Sequence, residues 1–405
     1  MASAKHSLPW SCFRLPTALS AVSWHKAMRR FDPKYFLLFA LATCSPQAQP
    51  GSSGDAPATS HYNDVARYLA GLPIENPSAE VRKAIETPLY KNHVALMNQS
   101  WSAIEQTSLI PMREWKKQNL TDACEERLAF YPLSGADFGN FYTMLPDCKN
   151  YLMIGLEDAG SVPEPFQLND AQLASGLGQL ERMVGQISIR NYFWTESMKT
   201  ETANAYLEGV TPAILVFASR LGLNIRNIES VQVNDEGKVV VTRAVPKDQR
   251  LKTLSGIRIT FRAPGDKEDR TLQFLRIRIG PAAGSDTAPE GKFFKQYGDF
   301  ITMFKSAEYL MHFKLGEEFR SFVLQRSRLV IQDDSGIPYD KFTPEWTIKC
   351  FGDYVHPYPL VQYTPQVQPG LAAAFAKERY PLPFPFGYGF YQGKGKSNLV
   401  IARKK

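Results

Sequence analysis

The sequence predicts an α+β fold in which a helical N-terminal part precedes an antiparallel sheet of at least four strands with packed helices. Between residues 62 and 128, apolar side chains recur at helical spacing. Beyond residue 222 the apolar period changes to two, which is typical of strands. We find no internal repeat, and this mixture of elements is classed as α+β.

The first 48 residues form a pattern typical of an export leader. A basic segment that starts at Met28 precedes the apolar run 35–42, and small residues follow it. We expect translation to start at Met28, because the chain before it does not fit a compact signal peptide. The apolar run is too short to span a bilayer, so we expect no transmembrane helix in the mature protein. Residues 49–61 are small and polar and predict a flexible linker.

Cys44 ends the segment LATC, which resembles a bacterial lipobox. Two outcomes remain open: lipid attachment at Cys44, or soluble export with this cysteine removed or idle. Either outcome predicts an exported protein in the periplasm, at the outer-membrane surface or outside the cell.

The folded body is expected at residues 62–403, with a helical part at 62–128 and a mixed part at 129–403. Residues 131–138 are turn-rich, and residues 151–157 read as a short strand that ends in a carboxylate. A helix capped by Asn169 or Asp170 follows, because its apolar residues share one face. These residues are Leu173, Leu177, Leu180, Val184 and Ile187.

The second half of the chain begins with a predicted buried helix. Thr211 caps it, Pro212 is its first residue, and it ends at Gly222. Four antiparallel strands are expected after it, at 230–233, 238–241, 257–262 and 271–279. In the last of these strands the apolar residues occupy even positions at first and odd positions later. This change predicts either a bulge near residues 274 and 275 or burial on both faces. Further helices are predicted at 293–304 and around 319–323, and further strands at 329–332, 386–391 and 399–402.

The composition is that of a globular protein. The chain has 405 residues, of which 44% are hydrophobic and 21% charged, and this excludes collagenous, coiled-coil and wholly disordered proteins. Residues 1–48 carry six Lys and Arg against one Asp, so five of the seven net positive charges lie in the leader. The body therefore lacks the basic face that a nucleic acid would require, and we expect no nucleic-acid partner.

Cysteine spacing gives one structural hypothesis and argues against a metal. Cys124 and Cys148 would close a disulfide loop of ordinary size in an exported protein, and two free buried thiols are the alternative. The sequence has no C-x-x-C pair and no His at ligand spacing from another His or Cys. We therefore expect no metal site.

Four carboxylates are the candidate catalytic residues. Asp137, Glu157, Asp333 and Asp334 lie in turn-like or strand-end contexts, where a cleft could raise the pKa of one acid and leave another ionised for acid/base chemistry.

The segment Asp334-Ser335-Gly336 follows an apolar strand, as the carboxylate turn of aspartic proteases does, but a second copy is missing. The alternative is a plain turn with Gly336 at positive φ.

Other chemical patterns are incomplete. Gly395-Lys396-Ser397 lacks the opening glycine of a phosphate-binding loop. The aromatic residues of 354–363 and 384–391 could stack on sugar rings or a peptide, or could pack against the core. The sequence therefore predicts no cofactor.

The segments 131–138 (YPLSGADF), 151–163 (YLMIGLEDAGSVP) and 329–342 (LVIQDDSGIPYDKF) resemble a family of uncharacterised exported bacterial proteins. The resemblance covers residues 62–403. It implies a bacterial origin and export, and it assigns no activity, cofactor or catalytic residue.

Taken together, these observations predict an exported protein of the bacterial cell envelope that binds a polymer or a protein partner without catalysis. The alternative is an envelope hydrolase that uses paired carboxylates among the four candidates. Whether the chain is an enzyme stays open at this point.

Overall fold

The computed structural model describes residues 60–121, 123–124, 128–193, 206–243, 245–250, 252–284, 287–354, 357, 367–388 and 396–405. The leader, most of the linker and Cys44 lie outside the described residues. The described chain combines one ten-stranded mixed sheet with packed helices, so the α+β prediction is confirmed. In this part of the chain, no helix is both long enough and apolar enough to cross a membrane.

The helices before the first strand begin at well-formed caps. The hydroxyl groups of Ser60, Ser78 and Thr87 each accept a backbone N–H of the first helical turn, which satisfies a donor that the helix cannot. A π-helical turn at Glu105–Leu109 joins the last two of these helices. They are α1 (His61–Leu69), α2 (Ala79–Ile85), α3 (Pro88–Ile104) and α4 (Ile110–Asn119).

The ten strands pair in the order β4-β3-β5-β6-β2-β1-β7-β8-β10-β9, from one edge of the sheet to the other. Their bounds are β1 (Leu128–Pro132), β2 (Asn150–Gly155), β3 (Asn224–Val233), β4 (Val239–Val241), β5 (Ser255–Arg262), β6 (Arg270–Arg276), β7 (Phe300–Phe304), β8 (Ser327–Gln332), β9 (Trp346–Gly352) and β10 (Asn398–Lys404). Five central strands, β6, β2, β1, β7 and β8, are parallel. Antiparallel strands extend the sheet on both sides.

The remaining helices cover the two faces of this sheet. Side chains of α1 and of α3 to α7 join the apolar cluster on one face, and those of α9 and α10 join the cluster on the other face. Parallel strands covered on both faces are buried throughout. The helices are α5 (Phe138–Met144), α6 (Asp170–Arg190), α7 (Thr211–Arg220), α8 (Lys247–Arg250), α9 (Pro289–Lys295), α10 (Glu317–Arg326) and α11 (Pro369–Lys377).

Several predicted elements are confirmed. Asn169 caps α6 in a capping box with Gln172, and the five apolar residues of its predicted face are all buried. The predicted antiparallel strands correspond to β3, β4, β5 and β6. In β6 the pairing is continuous, and Phe274 and Leu275 enter the clusters on opposite faces. Burial on both faces of β6, rather than a bulge, therefore explains why its apolar residues occupy both even and odd positions.

Other predictions are wrong in detail. The helix predicted at 293–304 is α9, which ends at Lys295, followed by the strand β7. The segment FITMF of β7 is buried at every position, and apolar residues on both faces of a strand resemble a helical pattern. Residues 386–388 do not form the predicted strand, and 389–391 lie outside the described residues. Gly336 is not among the described glycines with positive φ, and Val210 rather than Thr211 is the cap residue of α7.

Cys124 and Cys148 form a disulfide. It joins the segment before β1 to the segment before β2, two parallel strands that are neighbours in the sheet. Cys350, in β9, is a buried free thiol.

Candidate functional site

A cleft opens where β1, β2 and β7 end. In the sheet β1 lies between β2 and β7. The chain continues from β1 to β2 on one side, and it forms β7 on the other side much later. Open α/β sheets bind their ligands at such a reversal of strand order, outside the carboxyl ends of the strands. The cleft has a volume of about 510 Å³, open solvent included. Residues of the segments 131–137, 156–157, 192–193 and 305–310 line it.

A buried ion pair forms the floor of this cleft. Lys305, which follows β7, places its Nζ 2.7 Å from Oδ2 of Asp137, and the lysine side chain is fully buried. The same Nζ donates to the carbonyl oxygen of Asn191, at the end of α6. Tyr131 donates a hydrogen bond of 3.2 Å to Asp137, and Asn140 donates one of 2.7 Å. This network therefore joins the turns after β1 and β7 to the end of α6.

Glu157 enters the cleft from the end of β2. Burial raises the pKa of its carboxyl group, and the charge of Glu308 across the cleft raises it further, whereas backbone amides and Arg276 lower it. Within the described residues, no side chain forms a salt bridge with Glu157. Gly155 makes room for it, because a Cβ at this position would lie 2.6 Å from Oε2 of Glu157. Glu157 is thus a desolvated carboxylate that faces the cleft.

The loop after β7 holds an unusual backbone. Ser306, Glu308 and Tyr309 have φ values of 53°, 53° and 55°, in the left-handed region that side chains other than glycine rarely adopt. Such strain persists only where the surroundings fix it, and it is concentrated at functional sites. The hydroxyl oxygen of Ser306 is buried against the cleft and has no hydrogen-bond partner in the described structure.

Asp333 and Asp334 hold this loop in place from the end of β8. Oδ2 of Asp333 accepts the backbone N–H of Ser306 at 3.2 Å, and Oδ1 accepts the hydroxyl of Ser335 at 2.5 Å. Asp334 accepts hydrogen bonds from Tyr309 at 2.8 Å and from Asn398 at 2.9 Å. Burial and the charge of Asp334 raise the pKa of Asp333 to about 7. Burial also raises the pKa of Asp334, against the effect of its hydrogen bonds.

The four candidate acids therefore all lie at one edge of the sheet, with different roles. Asp137 and Glu157 line the cleft, and only Glu157 points a carboxylate without a side-chain partner among the described residues into it. Asp333 and Asp334 are buried and brace the loop after β7. The backbone at Gly387 packs directly on Asp333, since a Cβ there would lie 2.0 Å from Oδ2.

Sequence reasoning missed Lys305, Ser306 and Glu308. These residues follow β7, whose apolar pattern predicts a helix. The sequence therefore does not predict a turn at the end of a strand at this point. Three polar residues among the four that follow a five-residue apolar strand are the signal that could have identified them.

The other candidate motifs fold as structural features. Ser335 donates to Asp333 and accepts the N–H of Ala307, so the Asp-Ser-Gly segment is a turn that supports the loop after β7. Ser397 accepts the N–H of Phe386, and Gly395 lies outside the described residues. Phe384 and Phe386 are buried in the core and cannot stack on a ligand. Residues 355–356, 358–363 and 389–391 of the two predicted aromatic segments lie outside the described residues. The described residues hold no group of three or more His, Cys, Asp or Glu that could bind a metal.

No family model, no curated protein and no solved structure matches this chain. Function must accordingly be argued from the site itself, because a fold alone does not determine it. The site offers a cleft at the reversal of strand order, a desolvated carboxylate at the end of β2, an unpaired buried hydroxyl and a rigid floor.

Proposed function

We propose that this protein binds a nucleoside-containing cofactor in the cleft, and that S-adenosylmethionine is the compound to test first. The observation that carries the proposal is the position of Glu157, a cleft-facing carboxylate at the end of β2, the strand next to β1. In doubly wound sheets an acid at this position accepts hydrogen bonds from the ribose hydroxyl groups of a bound nucleotide.

The turn after β1 supports a nucleoside rather than a dinucleotide. An acid that binds ribose follows the glycine turn after about 20 residues, and Glu157 follows Gly135 at about that spacing. The turn contains Gly135 alone, whereas dinucleotide-binding turns have three glycines that let the backbone approach a pyrophosphate. The helix after it, α5, has only seven residues. A ligand without a pyrophosphate group fits this turn better.

The strand order supports S-adenosylmethionine in particular. From β6 to β9 the order is β6-β2-β1-β7-β8-β10-β9, with β10 antiparallel to both of its neighbours. S-adenosylmethionine-dependent methyltransferases of the doubly wound class have this strand order and bind their cofactor at the equivalent ends of the first two strands. The likeness concerns strand order alone, and it serves as a fold-level analogy.

Calorimetric titration of the full chain tests the proposal. We expect binding of S-adenosylmethionine, and we expect Glu157→Gln to weaken it by at least about tenfold, because hydrogen bonds from ribose to a charged acceptor are lost. Glu236→Gln, in the exposed turn between β3 and β4, is the matched control and should bind as the wild type does. Failure of the wild type to bind S-adenosylmethionine, S-adenosylhomocysteine and adenosine would sink the proposal.

A hydrolase is the second candidate. The specific observation in its favour is that Glu157 and Glu308 line the same cleft, where the charge of Glu308 disfavours the ionisation of Glu157. Such a pair can separate an acid from a base in glycoside hydrolysis. Cleavage of cell-envelope glycans by the wild type, lost in both Glu157→Gln and Glu308→Gln, would support it. Glycans left intact by the wild type would count against it.

Export to the bacterial envelope remains part of the proposal. The disulfide between Cys124 and Cys148 supports it, because disulfides persist mainly in oxidising compartments. Membership of the exported bacterial family and lipid attachment at Cys44 stay predictions. An envelope polymer or protein partner also stays a prediction, and Phe384 and Phe386, which are buried, do not contribute to its binding.

A further inference from the structure

Three largely buried charged side chains meet at the segment that follows β2. Nε of Arg250, in α8, lies 3.0 Å from Oδ1 and 3.1 Å from Oδ2 of Asp158, and its Nη2 lies 3.0 Å from Oδ2. The same Nη2 donates to Glu208 at 2.6 Å. The side chains of Arg250, Asp158 and Glu208 are 8%, 10% and 15% exposed. One guanidinium group therefore joins α8 to the segment after β2 and to the segment before α7.

The backbones of these two segments are in direct contact. The N–H of Val210 donates to the carbonyl oxygen of Asp158 at 3.0 Å. The N–H of Thr211 donates to that of Ala159 at 3.1 Å. Gly209 permits this approach, because its φ is 76° and a Cβ there would lie 2.3 Å from the carbonyl carbon of Ala159. Asp158 is therefore held both through its backbone and through its carboxylate.

Glu157 lies between Asp158 and the end of β2. On its other side, Nε of Arg276 donates to the carbonyl oxygen of Leu156 at 3.1 Å. The side chain of Glu157 lines the cleft, whereas the carboxylate of Asp158 is bound to Arg250. Since no salt bridge holds Glu157 within the described residues, the direction of its side chain depends on how firmly the backbone on either side is held.

We propose that Arg250 is a positioning residue for the cleft. By binding both carboxylate oxygens of Asp158, it fixes the backbone from which Glu157 reaches the ribose of a bound nucleoside. This inference rests on the proposed function and adds to it the residue that makes the ribose contact selective. Arginine suits this role, because its planar fork of donors fixes two oxygens in one geometry, whereas the ammonium group of lysine acts as a point charge.

Two nucleosides that differ only in the ribose hydroxyl groups test this role on the full chain. Adenosine carries the 2′ and 3′ hydroxyl groups, and 2′,3′-dideoxyadenosine lacks both. In calorimetric titrations the wild type should bind adenosine at least about tenfold more tightly, because the analogue cannot donate to Glu157. In Arg250→Lys we expect this ratio to fall to about threefold or less, with the affinity for 2′,3′-dideoxyadenosine within about twofold of the wild-type value.

The choice of variants separates positioning from stability. Arg250→Lys keeps a positive charge beside the two carboxylates, so the chain should fold, but it loses the fork of donors. Arg262→Lys is the matched control, because Arg262 binds Asp269 at 2.8 Å at the opposite end of the sheet, and it should keep the wild-type ratio. In the Glu157→Gln background, Arg250→Lys should not change the ratio further, because a residue that acts through Glu157 has no effect once that carboxylate is gone.

The outcomes distinguish this inference from the proposed function. A wild-type ratio in Arg250→Lys, or affinities for both nucleosides lowered together, would overturn the positioning role and leave nucleoside binding intact. Equal binding of the two nucleosides by the wild type would overturn the ribose contact of Glu157 and the role of Arg250 with it. If the wild type binds neither nucleoside, the proposed function and this inference both fall.

Discussion

Individual buried charges determine how the cleft is built. The ion pair of Lys305 and Asp137 joins two strand ends and the end of α6, and its side chains are 0% and 4% exposed. A buried pair of this kind adds little net stability when compared with apolar residues, but removal of one partner leaves a buried charge uncompensated. The pair therefore fixes the positions of the chain segments that it joins.

Substitution of Lys305 tests this role. We expect Lys305→Met to lower the free energy of unfolding by about 3 to 5 kcal/mol, because Asp137 stays buried without its cation. The control is Lys117→Met, whose partner Glu114 and own side chain are both about two-thirds exposed, and which should cost about 1 kcal/mol or less. Urea denaturation measures both values. Equal losses in the two variants would mean that the buried pair is not a brace.

Asp333 gives the fold a specific dependence on pH. Its pKa rises from 3.8 to about 7 in the folded chain, so the folded state binds a proton that the unfolded state releases. The stability that this protonation provides is present below pH 3.8 and is lost as pH rises to about 7. At higher pH, Asp333 and Asp334 are two neighbouring buried charges.

Asp333→Asn should flatten this dependence. We expect the difference in unfolding free energy between pH 5 and pH 8, measured in urea, to be smaller in Asp333→Asn than in the wild type. Overall stability is expected to fall, because an amide N–H would face the N–H of Ser306. Asp340→Asn, at a side chain 70% exposed, is the control and should keep the wild-type slope. A variant with the wild-type slope would show that Asp333 does not titrate in this range.

At the scale of elements, local signals explain what the sequence could and could not predict. Helix α6 is predictable because its cap, its apolar face and its length agree. Strand β7 is not, because it is buried on both faces and has no alternation. The sequence indicates Glu157 because this acid follows a short strand, whereas Lys305 and Glu308 follow a strand whose pattern predicts a helix. The acids of the site were therefore predictable, and their neighbours across the cleft were not.

The end of β2 offers a steric test of the cleft. In Gly155→Ala the new Cβ would lie 2.6 Å from Oε2 of Glu157 and 2.9 Å from Phe274. We expect displacement of the carboxylate, weaker nucleoside binding and a loss of about 1 to 3 kcal/mol in stability. In the control Gly178→Ala, in α6, the nearest atom is 3.7 Å away, so stability should rise slightly. Unchanged binding in Gly155→Ala would contradict the role given to Glu157.

At the scale of the whole molecule, the order of the strands places the cleft at the ends of β1, β2 and β7. This order is the feature that the sequence pattern does not predict. The antiparallel strands β5 and β6 are consecutive along the chain, so the turn residues between them predict their pairing. The parallel strands β1 and β7 pair over a sequence separation of more than 170 residues, as Ala129 and Ile301 do. The spacing of apolar residues cannot reveal such a pairing. It indicates which face of a strand is buried and not which strand lies beside it. The α+β class was therefore predictable, while the cleft was not.

Export is the prediction that concerns the whole chain. We expect the protein isolated from its native host to start between residues 43 and 50, or at a lipid-modified Cys44, as measured by intact mass and N-terminal sequencing. The disulfide supplies an independent check, because an exported chain should show Cys124 and Cys148 oxidised and Cys350 reduced. Membrane partitioning of Cys44→Ala like that of the wild type would exclude lipidation. Retention of residue 1 or 2 with all thiols reduced would contradict export.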